Sequence, residues 1–182
     1  IKRIHKNVVD GQKIQVYTTS ENSQNRLSTT ASVDFVATSQ PLETEISVFV
    51  EPNITFQKIM GIGGSITDAS AEIFAQLSKE KQQELLDAYY TSDKGIGYSI
   101  LRTTIHSSDF GSGSHTYIKE GDKELKTFSI DPDRKYRLPM IKRAIAAAGG
   151  NLLTYAAPWS PPAFMKNTNN MLKGGVLLPE FY

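Results

Sequence analysis

Residues 151–162 read Asn-Leu-Leu-Thr-Tyr-Ala-Ala-Pro-Trp-Ser-Pro-Pro. The first part has the character of a β-strand, and it ends at Pro158, which lacks the N–H that a central strand needs. The only tryptophan, Trp159, is therefore expected on a stiff loop at the C-terminal end of the strand, where parallel sheets bind ligands. Its ring could support an apolar sugar face or another planar group. The alternative is that Trp159 is simply a buried core residue at the end of the strand.

The chain after residue 56 alternates between strand and helix patterns. Because βα repetition is right-handed, it predicts a parallel sheet in an α/β fold. With 182 residues, the chain is shorter than a (β/α)8 TIM barrel of about 250 residues, so we expect an incomplete barrel of three βα units. The predicted strands are 58–66, 98–104 and 152–157, and the predicted helices are 67–77, 79–90 and a third that begins at Asp131-Pro132 and ends at Gly149-Gly150.

The residues before 56 have a different pattern. Apolar and polar side chains alternate over 13–19, 32–37 and 45–50, most regularly in the last of these. This pattern predicts strands and no helix, as in an incomplete β module.

The composition excludes several classes of function. A net charge of +1 gives no electrostatic basis for binding nucleic acid or an anionic membrane. No apolar run approaches the roughly 20 residues of a membrane span. Cysteine is absent, which excludes disulfides and thiol catalysis. Because His5, His106 and His115 are scattered, we expect no metal site and no cofactor.

Two positions near the second strand are candidates for a site. Arg102 lies inside the apolar stretch 99–105, where a buried arginine needs an acceptor. It could form a salt bridge within the barrel, orient a catalytic carboxylate, or do both. Asp109 follows on the loop, which should open on the same face as the Trp159 loop. A carboxylate beside aromatic rings suits a sugar, although a lone loop aspartate is more often merely solvated.

A glycine-rich run at 61–66, Gly-Ile-Gly-Gly-Ser-Ile, raises nucleotide binding as a further alternative. The dinucleotide fingerprint requires glycine at its sixth position, which is Ile66 here, and no phosphate-loop lysine follows. The structural interpretation is that glycine lets the backbone pack closely where the strand enters a barrel.

Four motifs in order resemble those of glycoside hydrolase family 30, the glucosylceramidase and β-1,6-glucanase group. They are Gly-Gly-Ser-Ile-Thr-Asp-Ala at 63–69, Gly-Ile-Gly-Tyr-Ser-Ile-Leu-Arg at 95–102, Ser-Asp-Phe at 108–110 and Ala-Pro-Trp-Ser-Pro-Pro at 157–162. The resemblance implies that 1–56 supplies N-terminal strands of a side β-sandwich. It also implies that 57–182 is the first part of a (β/α)8 catalytic barrel.

The resemblance further implies roles for four residues. Asp109 would bind sugar hydroxyls, Trp159 would line the same subsite and Phe110 would help to shape it. Arg102 would contact the nucleophile.

The two catalytic glutamates of the family follow later barrel strands, so the resemblance places both beyond Tyr182. The only Glu-Pro here, Glu51-Pro52, lies in the strand-rich first region and does not match. The expected function is thus the N-terminal part of a retaining β-glycosidase, with the fragment alone inactive and poorly folded. The rest of the same polypeptide would be needed to complete the barrel.

The expected substrate is a β-glucoside, a glucan or a glycolipid, which would connect the protein to carbohydrate or sphingolipid metabolism. The expected location is secreted or periplasmic. A non-catalytic carbohydrate-binding barrel is the main alternative, and a nucleotide-binding α/β domain is a weaker one.

Overall fold

The computed structural model describes residues 11–36, 38–51 and 53–182, in two units that divide between Lys58 and Ile59. His5, Ala37 and Pro52, which carry parts of the sequence predictions, lie outside the described residues.

The first unit contains an antiparallel hairpin of β1 (Lys13–Thr18) and β2 (Ser28–Asp34). The β1 strand matches its prediction, whereas β2 begins and ends earlier than the predicted 32–37. The polar residues at the start of β2 join the ladder because hydroxyl groups pair across it, as between Thr18 and Thr30 at 2.7 Å.

The predicted strand at 45–50 is wrong, since this segment is irregular. Ile46, Val48, Phe49 and Val50 are all largely exposed. Alternation gives a segment the propensity for a strand, but a strand forms only where its backbone groups find a ladder. Among the described residues, no strand pairs with this segment.

The second unit is built on a parallel sheet in the order β3-β4-β5. Its strands are β3 (Gly63–Ser65), β4 (Ile100–Ile105) and β5 (Leu153–Pro158). The β3 strand is shorter than predicted, and the other two agree within two residues. A Cβ atom on Gly63 would lie 1.6 Å from the Ile100 carbonyl oxygen, so only glycine allows β3 to approach β4.

Helices α1 (Asp68–Gln76) and α2 (Lys79–Tyr90) form where local signals predict them. Thr67 and Ser70 make a reciprocal capping box, and the Ser78 hydroxyl accepts the Lys81 N–H. The predicted third helix is divided into α3 (Asp131–Arg134) and α4 (Arg137–Ala147). The N-cap of α3 is Ile130, so Asp131 is already the first helical residue.

The core lies between one face of the sheet and α1, α2 and α4. The fully buried side chains there include Ile66, Leu86 and Leu101. Because neighbouring strand residues point to opposite faces, burial of Leu101 against the helices places Arg102 on the other face. Short 3₁₀ turns follow β5 at Ala163–Met165 and Pro179–Phe181.

Candidate active site

Trp159 lies at the C-terminal edge of the sheet. Pro158, the last residue of β5, is in register with Ile105, and the Trp159 N–H donates to the Ile105 carbonyl at 3.4 Å. The Trp159 side chain stays 42% exposed, so it is not a core residue. Proline thus ends the strand and places an accessible ring at the edge where parallel sheets bind ligands.

Arg102 lies beside this ring, on the face of the sheet opposite to that of Leu101. It is in register with Ser65 on β3 and Tyr155 on β5. Its guanidinium carbon lies 4.8 Å from the centroid of the Trp159 ring, a cation–π contact. The burial and salt bridge considered from the sequence are not found: Arg102 is half-buried, and no described carboxylate pairs with it.

Asp109 and Trp159 line one cleft of about 500 Å³. Asp109 is exposed on the loop after β4, and Ser108 and the loop after β5 contribute to the same walls. The cleft therefore presents a carboxylate and an aromatic ring together. Such a surface can accept hydrogen bonds from hydroxyl groups and cover an apolar C–H face.

Phe110 lies elsewhere. Its side chain is 64% exposed and lines a separate cavity with residues of α1, including Ile73 and Phe74. Its carbonyl accepts the Ala69 N–H at 3.1 Å, which anchors the Asp109 loop to the first turn of α1. The structure thus brings Asp109, Trp159 and Arg102 to one edge but turns the Phe110 ring away.

A buried charged cluster behind the cleft was not identified from the sequence. Arg137, only 2% exposed, pairs with Asp133 and, at 3.3 Å, with Asp68. It also donates to the hydroxyls of Thr104 and Tyr117, each at 2.7 Å. The Asp133–Arg137 spacing of four residues in a helical segment was the available signal, but that spacing is usually an exposed pair.

Burial shifts the pKa of two groups in this cluster, Asp68 and Tyr117. Burial raises the pKa of the Asp68 carboxyl, an effect that the nearby Arg137 opposes. Burial, together with the hydrogen bond to Asp133, raises the pKa of Tyr117 to about 12. Tyr117 therefore stays protonated and donates to Asp133 Oδ2 at 2.5 Å.

Asp68, Asp133 and His115 are the one group among the described residues whose ligand atoms could surround a metal ion, all within 4.8 Å of one another. The Arg137 guanidinium already pairs with both carboxylates. A cation placed there would meet a fixed positive charge, so the donor set does not fit a metal.

The glycine-rich run does not form a phosphate cradle. Gly63 belongs to β3, where it packs against Ile100. The first amides of α1 are already used, since the Ala69 N–H donates to Phe110 and the Ser70 N–H to the Thr67 hydroxyl. The run therefore serves strand packing, and the nucleotide-binding interpretation loses its basis.

The parallel sheet, whose strands alternate with helices along the chain, is of the type found in (β/α)8 barrels, and the family comparison agrees. Residues 59–180 match the glycosyl hydrolase family 30 TIM-barrel domain. The chain belongs to this family, and its parallel sheet is part of a TIM barrel.

The particular relatives are glucosylceramidases and glucanases. The chain is 35% identical over 174 residues to putative glucosylceramidase 4 of Caenorhabditis elegans, covering 94% of this chain and 32% of the relative. It is 34% identical over 133 residues to the lysosomal acid glucosylceramidase of Mus musculus, covering 72% of this chain and 25% of that relative. It is 34% identical over 122 residues to an endo-1,6-beta-D-glucanase of Trichoderma harzianum, covering 65% of this chain and 24% of that relative.

Among solved structures, SrfJ from Salmonella typhimurium is similar, with a TM-score of 0.66 and 32% identity over 71% of this chain and 29% of that chain. The chain thus spans about a third or less of the length of these proteins. In the part of the chain that the structure describes, no helix is long and apolar enough to cross a membrane.

Proposed function

We propose that this chain is the N-terminal portion of a retaining β-glycosidase that resembles glucosylceramidases. The observation that carries the proposal is the cleft at the C-terminal edge of the parallel sheet, where Asp109 and Trp159 face the same space. Active sites of (β/α)8 barrels lie at this edge. Membership of glycosyl hydrolase family 30 supports a glycosidic substrate.

In this proposal, each residue of the edge contributes to holding one sugar ring. The Asp109 carboxylate accepts hydrogen bonds from sugar hydroxyls, which orients the ring, and Trp159 covers its apolar face. The Phe110 carbonyl fixes the Asp109 loop to α1, so Phe110 shapes the subsite through its backbone. These contacts position substrate and move no proton.

Arg102 is proposed to orient the nucleophile. Its guanidinium is held against Trp159, and no described carboxylate neutralises it. A carboxylate that arrived beside it would gain a charge-assisted hydrogen bond and stay ionised. An ionised carboxylate is what attack on an anomeric carbon requires.

The chemistry itself is assigned to two glutamates in the remainder of the polypeptide. One would protonate the glycosidic oxygen, and the other, about 5–5.5 Å away, would attack the anomeric carbon. Water, deprotonated by the first glutamate, would then hydrolyse the glycosyl-enzyme with net retention. In this proposal, residues 57–182 supply the first βα units of the barrel and residues 1–56 supply strands of a side β-sandwich.

The substrate classes are β-glucosides, glucans and glycolipids. The relatives include both glucosylceramidases and endo-1,6-beta-D-glucanases, which supports these classes. We propose a secreted or periplasmic location for the complete enzyme.

A hydrolysis panel on the complete polypeptide tests the function. The panel contains an aryl β-glucoside, an aryl β-xyloside, glucosylceramide and β-1,6-glucan, with an aryl α-glucoside as the matched control. We expect turnover of at least one β-linked substrate and none of the α-glucoside, with NMR showing the β-anomer as the first product. Sugar binding without turnover would support the non-catalytic carbohydrate-binding barrel instead. Initial release of the α-anomer would contradict a retaining mechanism.

A further inference from the structure

His106, the first residue after β4, has an unusual backbone conformation. Its φ angle is 66°, in the left-handed region. An L-residue other than glycine is strained there, and such strain persists only where the surroundings hold it. The turn at His106 begins the loop that carries Asp109 into the cleft.

The backbone of this turn is held by the buried cluster. The His106 carbonyl accepts a hydrogen bond from the Thr104 hydroxyl at 3.0 Å and another from Arg137 at 3.4 Å. Arg137 is itself fixed by Asp68 and Asp133. The strained turn is thus tied to a rigid, buried group.

The His106 side chain extends to the neighbouring loop. Its Nδ1 lies 3.3 Å from the Ser160 carbonyl oxygen, and because a carbonyl only accepts, Nδ1 carries the hydrogen and donates. The ring also packs edge-on against Tyr117, with centroids 4.9 Å apart. Burial lowers the pKa of the His106 imidazole. Ser160 directly follows Trp159, so this hydrogen bond joins the two loops that form the cleft.

We propose that His106 is a positioning residue that sets how Asp109 and Trp159 face each other across the cleft. Asp109 lies three residues after His106. Trp159 directly precedes Ser160, whose carbonyl accepts the hydrogen bond from His106. This inference rests on the proposed function, because it assigns His106 to the geometry of the sugar subsite. His106 contacts no reacting atom and acts through its two neighbours.

Two variants separate the backbone from the side chain. Glycine adopts the left-handed conformation freely, so His106→Gly removes the ring without adding strain. Asparagine also tolerates this conformation, and its Nδ2 is bonded to Cγ as Nδ1 is in histidine. His106→Asn therefore keeps a donor at the same distance along the side chain. Leu125→Gly is the matched control, since Leu125 also has a positive φ, 58°, but lines none of the cleft.

The experiment measures kcat and KM of the complete polypeptide with its best β-glucoside. We expect His106→Gly to lower kcat/KM about tenfold, mainly through kcat, because the misplaced groups stabilise the transition state. His106→Asn should recover activity to within about threefold of the parent, and Leu125→Gly should leave it unchanged. Thermal unfolding checks that all variants are folded.

A double variant adds a test that a purely structural role would not pass. If His106 acts through Asp109, His106→Gly with Asp109→Ala should lose less than the product of the two single losses. Multiplicative losses, or an unchanged kcat/KM in His106→Gly while Asp109→Ala is impaired, would overturn the inference. Failure of His106→Asn to recover activity would also overturn it. No effect of Asp109→Ala would instead count against the proposed sugar subsite.

Discussion

Arg102 on β4 and Arg137 on α4 differ in their partners. Arg137 is enclosed by two carboxylates and two hydroxyl groups. Arg102 is half-buried, with the Trp159 ring as its neighbour. Removing a buried, fully paired arginine leaves charges uncompensated and destabilises a fold. A half-buried guanidinium with which no described carboxylate pairs is instead available for a carboxylate that arrives later. Arg137 therefore belongs to the buried cluster that holds the turn at His106, whereas Arg102 lies beside the proposed sugar subsite.

The largest expected effect is a loss of stability when Arg137 in the buried cluster is replaced. Arg137→Ala leaves Asp68 and Asp133 buried without their cation, and breaking such a pair costs about 3–5 kcal/mol. We expect the free energy of unfolding of the complete polypeptide, measured in urea, to fall by that amount. Arg134→Ala is the control, because its pair with Asp131 is exposed and contributes at most about 0.5 kcal/mol. Equal effects of the two variants would contradict the role given to Arg137.

The next effect concerns the strand beside Arg102. A Cβ atom at position 63 would collide with the Ile100 carbonyl, so Gly63→Ala must push β3 from β4. We expect a loss of about 3 kcal/mol in unfolding free energy, the upper part of the range for overpacking. Gly113→Ala has no atom within 4 Å of the new Cβ and should change stability little. Equal losses of unfolding free energy in the two variants would contradict the close approach of β3 to β4.

At the proposed sugar subsite, replacing Arg102 should affect catalysis more than stability. We expect Arg102→Met to lower kcat about 30-fold, equivalent to about 2 kcal/mol, because the nucleophile loses its cationic partner. Arg102→Lys should lose less, since the charge remains. Arg134→Met is the matched control for kcat. A large fall in stability with unchanged kcat would make Arg102 a second supporting residue.

The sequence predicts the elements whose signals are local. Thr67 and Ser78 begin α1 and α2 as expected because a capping hydroxyl lies within the segment that it caps. Pro158 ends β5 for a similar reason, the loss of one backbone donor. The strand predicted at 45–50 failed because pairing depends on a partner that the segment itself does not specify.

The site could be predicted in part. Asp109 and Trp159 share a cleft because the ends of adjacent parallel strands meet at one edge, which the βα pattern implies. The burial of Arg137 depends on Thr104 and Tyr117, which are distant in sequence, so only the fold reveals it. His106 has no local signal either, since its strained turn and its hydrogen bond to Ser160 arise from tertiary contacts.

The most direct test of the sugar subsite is kcat/KM of Asp109→Ala in the complete polypeptide. We expect at least a tenfold loss, about 1.4 kcal/mol of transition-state stabilisation, because the hydroxyl groups of the substrate lose their acceptor. Asp93→Ala, at another exposed position, should stay within about twofold of the parent. An unchanged kcat/KM in Asp109→Ala would remove Asp109 from the site and contradict the account.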